Sequence, residues 1–513
     1  MDGSVTIFGG IFNGDIACRY GDSQISGGTF YGQIGLHSYD SQSHNKLIIE
    51  GGTFYSSSAE LANVSVSCGE LVIDGGTFNA TGSYNLYAHA GNMKSVINIT
   101  INDGQFESYG DFGLFFDRTD TYNGADHSTI LSVIPHVIIN NGEFLASNNV
   151  IYNTGNLTIN AGTFTQTGQN NSEYVCLNNA DSYGLGDSVG VTTINGGTFS
   201  GYNRCIENRG NMDITGGSFS QVEEQEYYSR LIENMGEMTI DGGVFTSNAE
   251  TIRNGGILSD EEGTLTINAG IFNKNGEVEE YLSCIHNEEE SIMTVNGGTF
   301  NMQKGSYCIG SEGTATINGG TFNVTSNLSC INSDGNLTVN YAVFNMSGGF
   351  TGITTENDNV VISGLRFNGS NIPWGVRGQN VTLSVDNNFF LEIDSDSYAF
   401  YKRGDSTAPD IIVNIELANG YTGGLRYYDS KDSEGVTLSA SEFDKIDFSS
   451  DYLRLEAENV PPGGPDDEPG TDCDHSYVTT VIEPTCENRG YTVYTCTKCG
   501  HTYTCLLYTS RCV

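Results

Sequence analysis

One phrase recurs along this 513-residue chain and limits what it can fold into. It is an apolar–x–apolar strand, a polar residue, two small residues, then Thr-Phe. It reads LIIEGGTF at 47–54, LVIDGGTF at 71–78, LTINAGTF at 157–164, TTINGGTF at 192–199, MTVNGGTF at 293–300 and ATINGGTF at 315–322. Looser copies are VTIFGGIF at 5–12, MDITGGSF at 212–219 and VVISGLRF at 360–367. The closing phenylalanines fall mostly about 20–28 residues apart from Phe12 to Phe367, the range of solenoids built from one supersecondary unit per repeat.

Helix is excluded inside the unit. Paired glycines, β-branched residues and Asn stand where a helix needs Ala, Leu or Glu, and apolar residues alternate with period two, as Leu265 and Ile267 do around Thr266. A second short strand precedes the phrase in several units: Cys205-Ile206-Glu207-Asn208, Leu231-Ile232-Glu233-Asn234, Cys284-Ile285-His286-Asn287, Cys308-Ile309-Gly310-Ser311 and Cys330-Ile331-Asn332-Ser333. One unit of two or three short strands cannot bury its own apolar stripe, so units must stack. The reading is all-β: a single-stranded, right-handed parallel β-helix of roughly fifteen coils. Stacking predicts a Phe ladder inside, an Ile/Val/Leu ladder beside it, and Asn stacks at the turns. A leucine-rich horseshoe lacks support because its Leu framework and helical segments are absent. Cys205, Cys284, Cys308 and Cys330 share one position; stacked free thiols acting as small apolar residues are expected, with a bridge between neighbouring coils as the alternative.

Residues 1–390 form this rod, and 391–460 read as terminal coils or a small β cap. Residues 461–472 are a Pro/Gly/acidic linker. Residues 473–504 form a short Cys/His module, in which Cys473, His475, Cys486, Cys496 and Cys499 offer five candidate ligands for one tetrahedral Zn²⁺. A disulfide-stapled module is the alternative. The last nine residues, 505–513, match an in-frame translation of a transposon mosaic-end sequencing adapter and are expected not to be native. No cap precedes the first coil, so Met1 is expected to be internal to a longer gene.

The repeat region resembles the pectate-lyase-like β-helix superfamily, most closely its non-catalytic, surface-associated, adhesin-like members with TINGGTF coils. The 473–504 module resembles a zinc-ribbon-like repeat of Firmicutes surface proteins. The first resemblance implies a β-helix that binds polysaccharide, in some relatives through Ca²⁺ held by paired Asp in a turn. The corresponding turns here read Asn208-Arg209-Gly210, Asn234-Met235-Gly236 and Ser333-Asp334-Gly335, so no clear motif supports Ca²⁺. Pectin-degrading enzymes of this type need clustered carboxylates with a His and basic residues. No such cluster is legible, and catalysis is not expected, although a lyase or hydrolase remains the alternative, as does a structural stalk.

A formal net charge of −42 argues against nucleic acid and anionic membrane surfaces as partners. No apolar run is long enough to span a membrane. A secreted or cell-surface bacterial protein, monomeric and directed at a surface glycan, is the expectation. Insertions map to loops, often on a binding face, and the intervals Phe106–Phe144 and Phe164–Phe199 are the long ones. The first carries the candidate ligand-binding residues Tyr109, Asp111, Asp117, Arg118, Asp120, Tyr122, Asp126 and His127, a mix of aromatics, carboxylates and one Arg suited to stacking on and hydrogen-bonding a sugar. The second carries Tyr174, Asp181, Tyr183 and Asp187.

Overall fold

In a computed structural model, the chain is a right-handed parallel β-solenoid followed by a small, separate C-terminal unit, the two divided at Asn459/Val460. The structure describes residues 4–458 apart from connections at 38–44, 57–60, 83, 90–95, 111, 123–128, 170–173, 181–189, 203, 222–228, 257–260, 276–282, 304, 326–328, 356–359, 371, 403–411 and 419–420. Beyond 458 it describes only the backbone of three strands.

Each coil contributes one strand to each of three parallel sheets. The first sheet has 17 strands and the third has 16, close to the coil number counted from the phenylalanines. Like residues superimpose in register: Ile194 on Ile214 in the first sheet, Phe199 on Phe219 in the second, Ile206 on Ile232 in the third. The Phe ladder runs from Phe12 to Phe322 with ring centroids 4.5–4.9 Å apart and rings nearly coplanar, which is the strand spacing itself. It breaks at Phe344, which meets Phe322 edge-on at 87°.

The paired glycines have separate reasons. The second sits at positive φ, as at Gly217 with φ 107°, where a Cβ would also come within 3.1 Å of the Gly197 carbonyl. The first has an ordinary φ, but at Gly196 a Cβ would lie 2.7 Å from the Asn160 carbonyl. Ala161 and Ala269 stand at this first position in other coils, whereas the second stays glycine there as Gly162 and Gly270.

Asparagine stacks occur in two places along the turns. An exposed ladder at the turn after the first sheet runs Asn102, Asn140, Asn160, Asn195, each amide donating to the one before at 2.7–2.8 Å. An inner ladder ends the third-sheet strands: Asn153, Asn179, Asn208, Asn234, Asn254 and Asn287, all fully buried. Asn208 Nδ2 donates to Asn234 Oδ1 at 2.7 Å and to the carbonyls of Gly210 and Glu237 at 3.0 Å, so buried turn carbonyls are met by side chains.

All seven described cysteines of the rod are free and buried. Cys284, Cys308 and Cys330 stack on consecutive coils; the hydrogen bond to Cys308, with burial, pushes the Cys284 thiol well above ordinary cysteine. These thiols are apolar filler rather than nucleophiles. Next to Cys284 the inward column holds Lys274, fully buried, whose ammonium burial pushes below ordinary lysine against the opposing pull of Cys284 and Glu250.

The parallel ladder continues past residue 390. Phe390–Asp394, Tyr398–Lys402 and Ile412–Leu417 add strands to the second, third and first sheets. Tyr452–Ala457 then pairs antiparallel with Phe390–Asp394, followed by Leu425–Tyr428 and Val436–Leu438. This antiparallel trio covers the open edge of the second sheet. In the C-terminal unit, Tyr477–Ile482, Tyr491–Cys496 and Thr502–Leu506 form a three-stranded antiparallel sheet.

Candidate functional site: the outward face of the third sheet

From the first coil to Val343, coil length varies at two of the three corners only. Three residues separate Ile7 from Ile11, Ile139 from Glu143 and Val339 from Val343, as in every coil between them. Connections into the third sheet range from two residues (Ser247 to Glu250) to eight (Gln166 to Val175, Gln221 to Arg230, Lys274 to Ser283). Connections out of it range from one residue (Gly378 to Asn380) to eleven (Asn179 to Val191) and seventeen (Asp117 to Pro135). The third sheet is therefore the floor between two rows of variable loops.

Its outward column does not repeat. In register along the rod it reads Tyr87, Phe115, Tyr152, Asn178, Glu207, Glu233, Arg253, His286, Gly310, Asn332, Thr354, Arg377, Tyr401. The neighbouring inward column is Leu86, Leu114, Ile151, Leu177, Ile206, Ile232, Ile252, Ile285 over the same coils. Stacking fixes the inward set, and the outward set is free to differ.

Three zones follow. The first is aromatic: Phe115 stacks on Tyr152 at 4.6 Å, Tyr84 on Tyr87 at 5.2 Å, and Phe112 meets Tyr152 edge-on at 5.3 Å. Burial, with the Asp117 carboxylate and Tyr84, raises the Tyr87 phenol. The second is ionic: Arg204 lies 2.6 Å and Arg230 2.5 Å from Glu233, Arg253 lies 2.7 Å from Glu250, and Glu207 bridges Arg204 and Arg209. Glu233 and Glu250 are 4% and 2% exposed, so these pairs fix geometry more than they add net stability. Burial disfavours a charged His286, but the Glu288 hydrogen bond and the Glu250 charge outweigh it and raise its pKa. The third zone is aromatic again: Trp374, the single Trp of the chain, stacks on Tyr401 at 4.7 Å, with Arg377 over its ring at 5.1 Å. Phe350 and Tyr398 flank them, 52% and 41% exposed.

The residues singled out in the Phe106–Phe144 interval are partly assembled. Asp117 ends the strand Phe112–Asp117 and pairs with His89 Nδ1 at 2.8 Å; Thr154 Oγ1 lies 3.3 Å from its other oxygen. The Arg118 backbone N–H donates to Thr154 Oγ1 at 2.7 Å. Tyr109 stands at the opposite, entry edge of the same strand, 59% exposed, and its hydroxyl binds Glu107. Asp120 and Tyr122 lie on Thr119–Tyr122, which pairs antiparallel with Thr129–Val133 as a hairpin leaving the exit edge. Asp111, Asp126 and His127 lie outside the described residues, as do Asp181, Tyr183 and Asp187. Of the Cys/His module, Cys473, His475, Cys486 and Cys499 lie outside the described residues, and Cys496 is placed only by its strand, opposite Tyr477.

The sequence reading missed both aromatic zones and the ion lattice. The signal lay in the residue after the Ile of the upstream strand, which changes from copy to copy while its neighbours hold. Compared with protein-family models, curated proteins and solved structures, the chain finds no match.

Proposed function

We propose that this protein is a non-catalytic, extracellular or cell-surface β-solenoid that binds a glycan along the outward face of its third sheet. One observation carries the reading: from Ile7 to Val343 the variation in loop length is confined to the two corners that flank that face, and its outward column gathers aromatic and charged side chains between them. Trp and Tyr rings offer apolar platforms for the C–H faces of sugar rings, and the carboxylates and amides between them offer hydrogen-bond partners for hydroxyls. The net charge of −42 favours a neutral or amino-bearing glycan over an anionic one. The Cys/His module is proposed to hold Zn²⁺ with four of its five candidate ligands, which zinc analysis before and after chelation tests.

A glycan array with and without Ca²⁺, followed by product analysis on any hit, separates the alternatives. Binding without product, weakened by Trp374→Ala or Tyr87→Ala, supports the proposal. Unsaturated uronide or new reducing ends would make it an enzyme, and silence from the folded chain would leave a stalk.

A further inference from the structure

Two coils of the third sheet bring a histidine and two glutamates to one point. His286 stands in the outward column of Ser283–Asn287, and Glu288 and Glu312 follow the inward Asn287 and Ser311 at equivalent places in consecutive coils. His286 Nε2 lies 3.7 Å from a carboxylate oxygen of each, and one ligating atom from each of the three residues falls within 4.8 Å of the others. In-register stacking holds the two carboxylates about one strand spacing apart, where like charges repel. Arg253 meets Glu288 through Oε1, the same oxygen that lies 3.7 Å from His286 Nε2, so an ion here takes Oε2 or displaces Arg253.

An independent observation lies on the far side of the imidazole. Gly310 follows His286 in the outward column, and its lack of a side chain lets Ser283 and the imidazole close in there. A Cβ at Gly310 would sit 2.7 Å from Ser283 Oγ and 3.1 Å from His286 Nδ1. Ser283 is 1% exposed, and its hydroxyl oxygen has no hydrogen-bond partner. A buried hydroxyl left so is costly, and it gains a use beside a metal-bound histidine. Such a histidine donates its other ring N–H to a nearby oxygen, which fixes the tautomer with the ligating nitrogen bare.

We propose that His286 Nε2, Glu288 and Glu312 hold one divalent transition-metal ion, with Ser283 as the oxygen that orients the imidazole. One imidazole with two carboxylates suits Mn²⁺, Fe²⁺ or Zn²⁺, whereas Ca²⁺ seeks a shell of oxygens. Three protein ligands leave coordination positions open to water or to a hydroxyl lying on the third sheet. The assignment stands independently of the glycan reading.

Mn²⁺ tests it on the full-length chain, because this ion prefers oxygen and imidazole to the thiolates of residues 473–504. Titration followed by the free-ion EPR signal is expected to show one ion taken up. His286→Ala and Glu312→Gln each weaken uptake by about tenfold or more, and Ser283→Ala by a smaller factor. Asp213→Asn, on the exposed face of the first sheet, leaves it unchanged. Glu312 is half exposed, so its variant keeps the fold, which circular dichroism verifies. Equal uptake by the parent and Glu312→Gln, or no uptake by the parent at about millimolar Mn²⁺, overturns the assignment.

Discussion

Single residues in this rod are read by their neighbours above and below. Phe245 lies between Phe219 and Phe272, each ring 4.8 Å away, so Phe245→Ala opens a cavity walled by rings that cannot collapse across it. A loss of about 3–5 kcal/mol is expected in urea unfolding. Asn234 donates to Asn254, Gly236 and Thr264 and accepts from Asn208, so Asn234→Ala leaves several buried groups unmet. The expected cost is about 2 kcal/mol or more, with Asn234→Ser, which keeps one donor, falling between. Lys274 goes the other way. Its ammonium is held below ordinary lysine, so the unfolded chain binds the proton more tightly than the folded one. The cost of burying the charge is therefore present in full below the folded pKa and is relieved as pH rises towards the ordinary lysine value. Lys274→Met is expected to be neutral or stabilising by about 1 kcal/mol at pH 7. The difference between parent and variant should shrink as denaturation is repeated at rising alkaline pH; a constant difference would contradict a buried charge.

At the scale of the strand, the three sides of a coil do different work. The second sheet carries the Phe ladder and the tight glycine corner, whose length is constant from Ile7 to Val343. The third sheet carries the outward column and the loops. Replacing the hairpin excursion 118–134 with a two-residue turn like that at Thr154-Gly155 should leave the melting transition nearly unchanged, since closing a shorter loop costs no more than closing a long one. The same variant should lose glycan affinity if the loop walls the binding face; unchanged affinity would confine the site to the sheet floor. The repeat phrase made the first two sheets plain in the sequence. The third was legible as a short strand but not as a face, because its functional residues are defined by not repeating. Asp117 was found through the long interval it begins. Trp374 and Tyr87 lie in coils of ordinary length, so no length signal marked them.

For the whole molecule, stability is one-dimensional: each coil touches only the coils beside it. An open coil end exposes strand edges that can pair with another chain. The antiparallel trio ending in Tyr452–Ala457 covers the second sheet's edge at that end. A chain stopped after Leu417 is therefore expected to self-associate in size-exclusion chromatography with light scattering at concentrations where the parent does not. A monodisperse truncated chain would show that the trio is not needed as a cap.

The sequence by itself determined the solenoid, its inward ladders and the glycine corner, because stacking forces the same residue into the same environment every coil, and repetition is visible in one dimension. Tertiary structure alone decided which residues share the outward face. Tyr87, Glu233, His286 and Tyr401 lie far apart along the chain, and only the register of the coils, with loops of unequal length taken out, sets them in one line. His286 of that line meets Glu288 and Glu312, which lie just past the strand ends, because two successive coils superimpose.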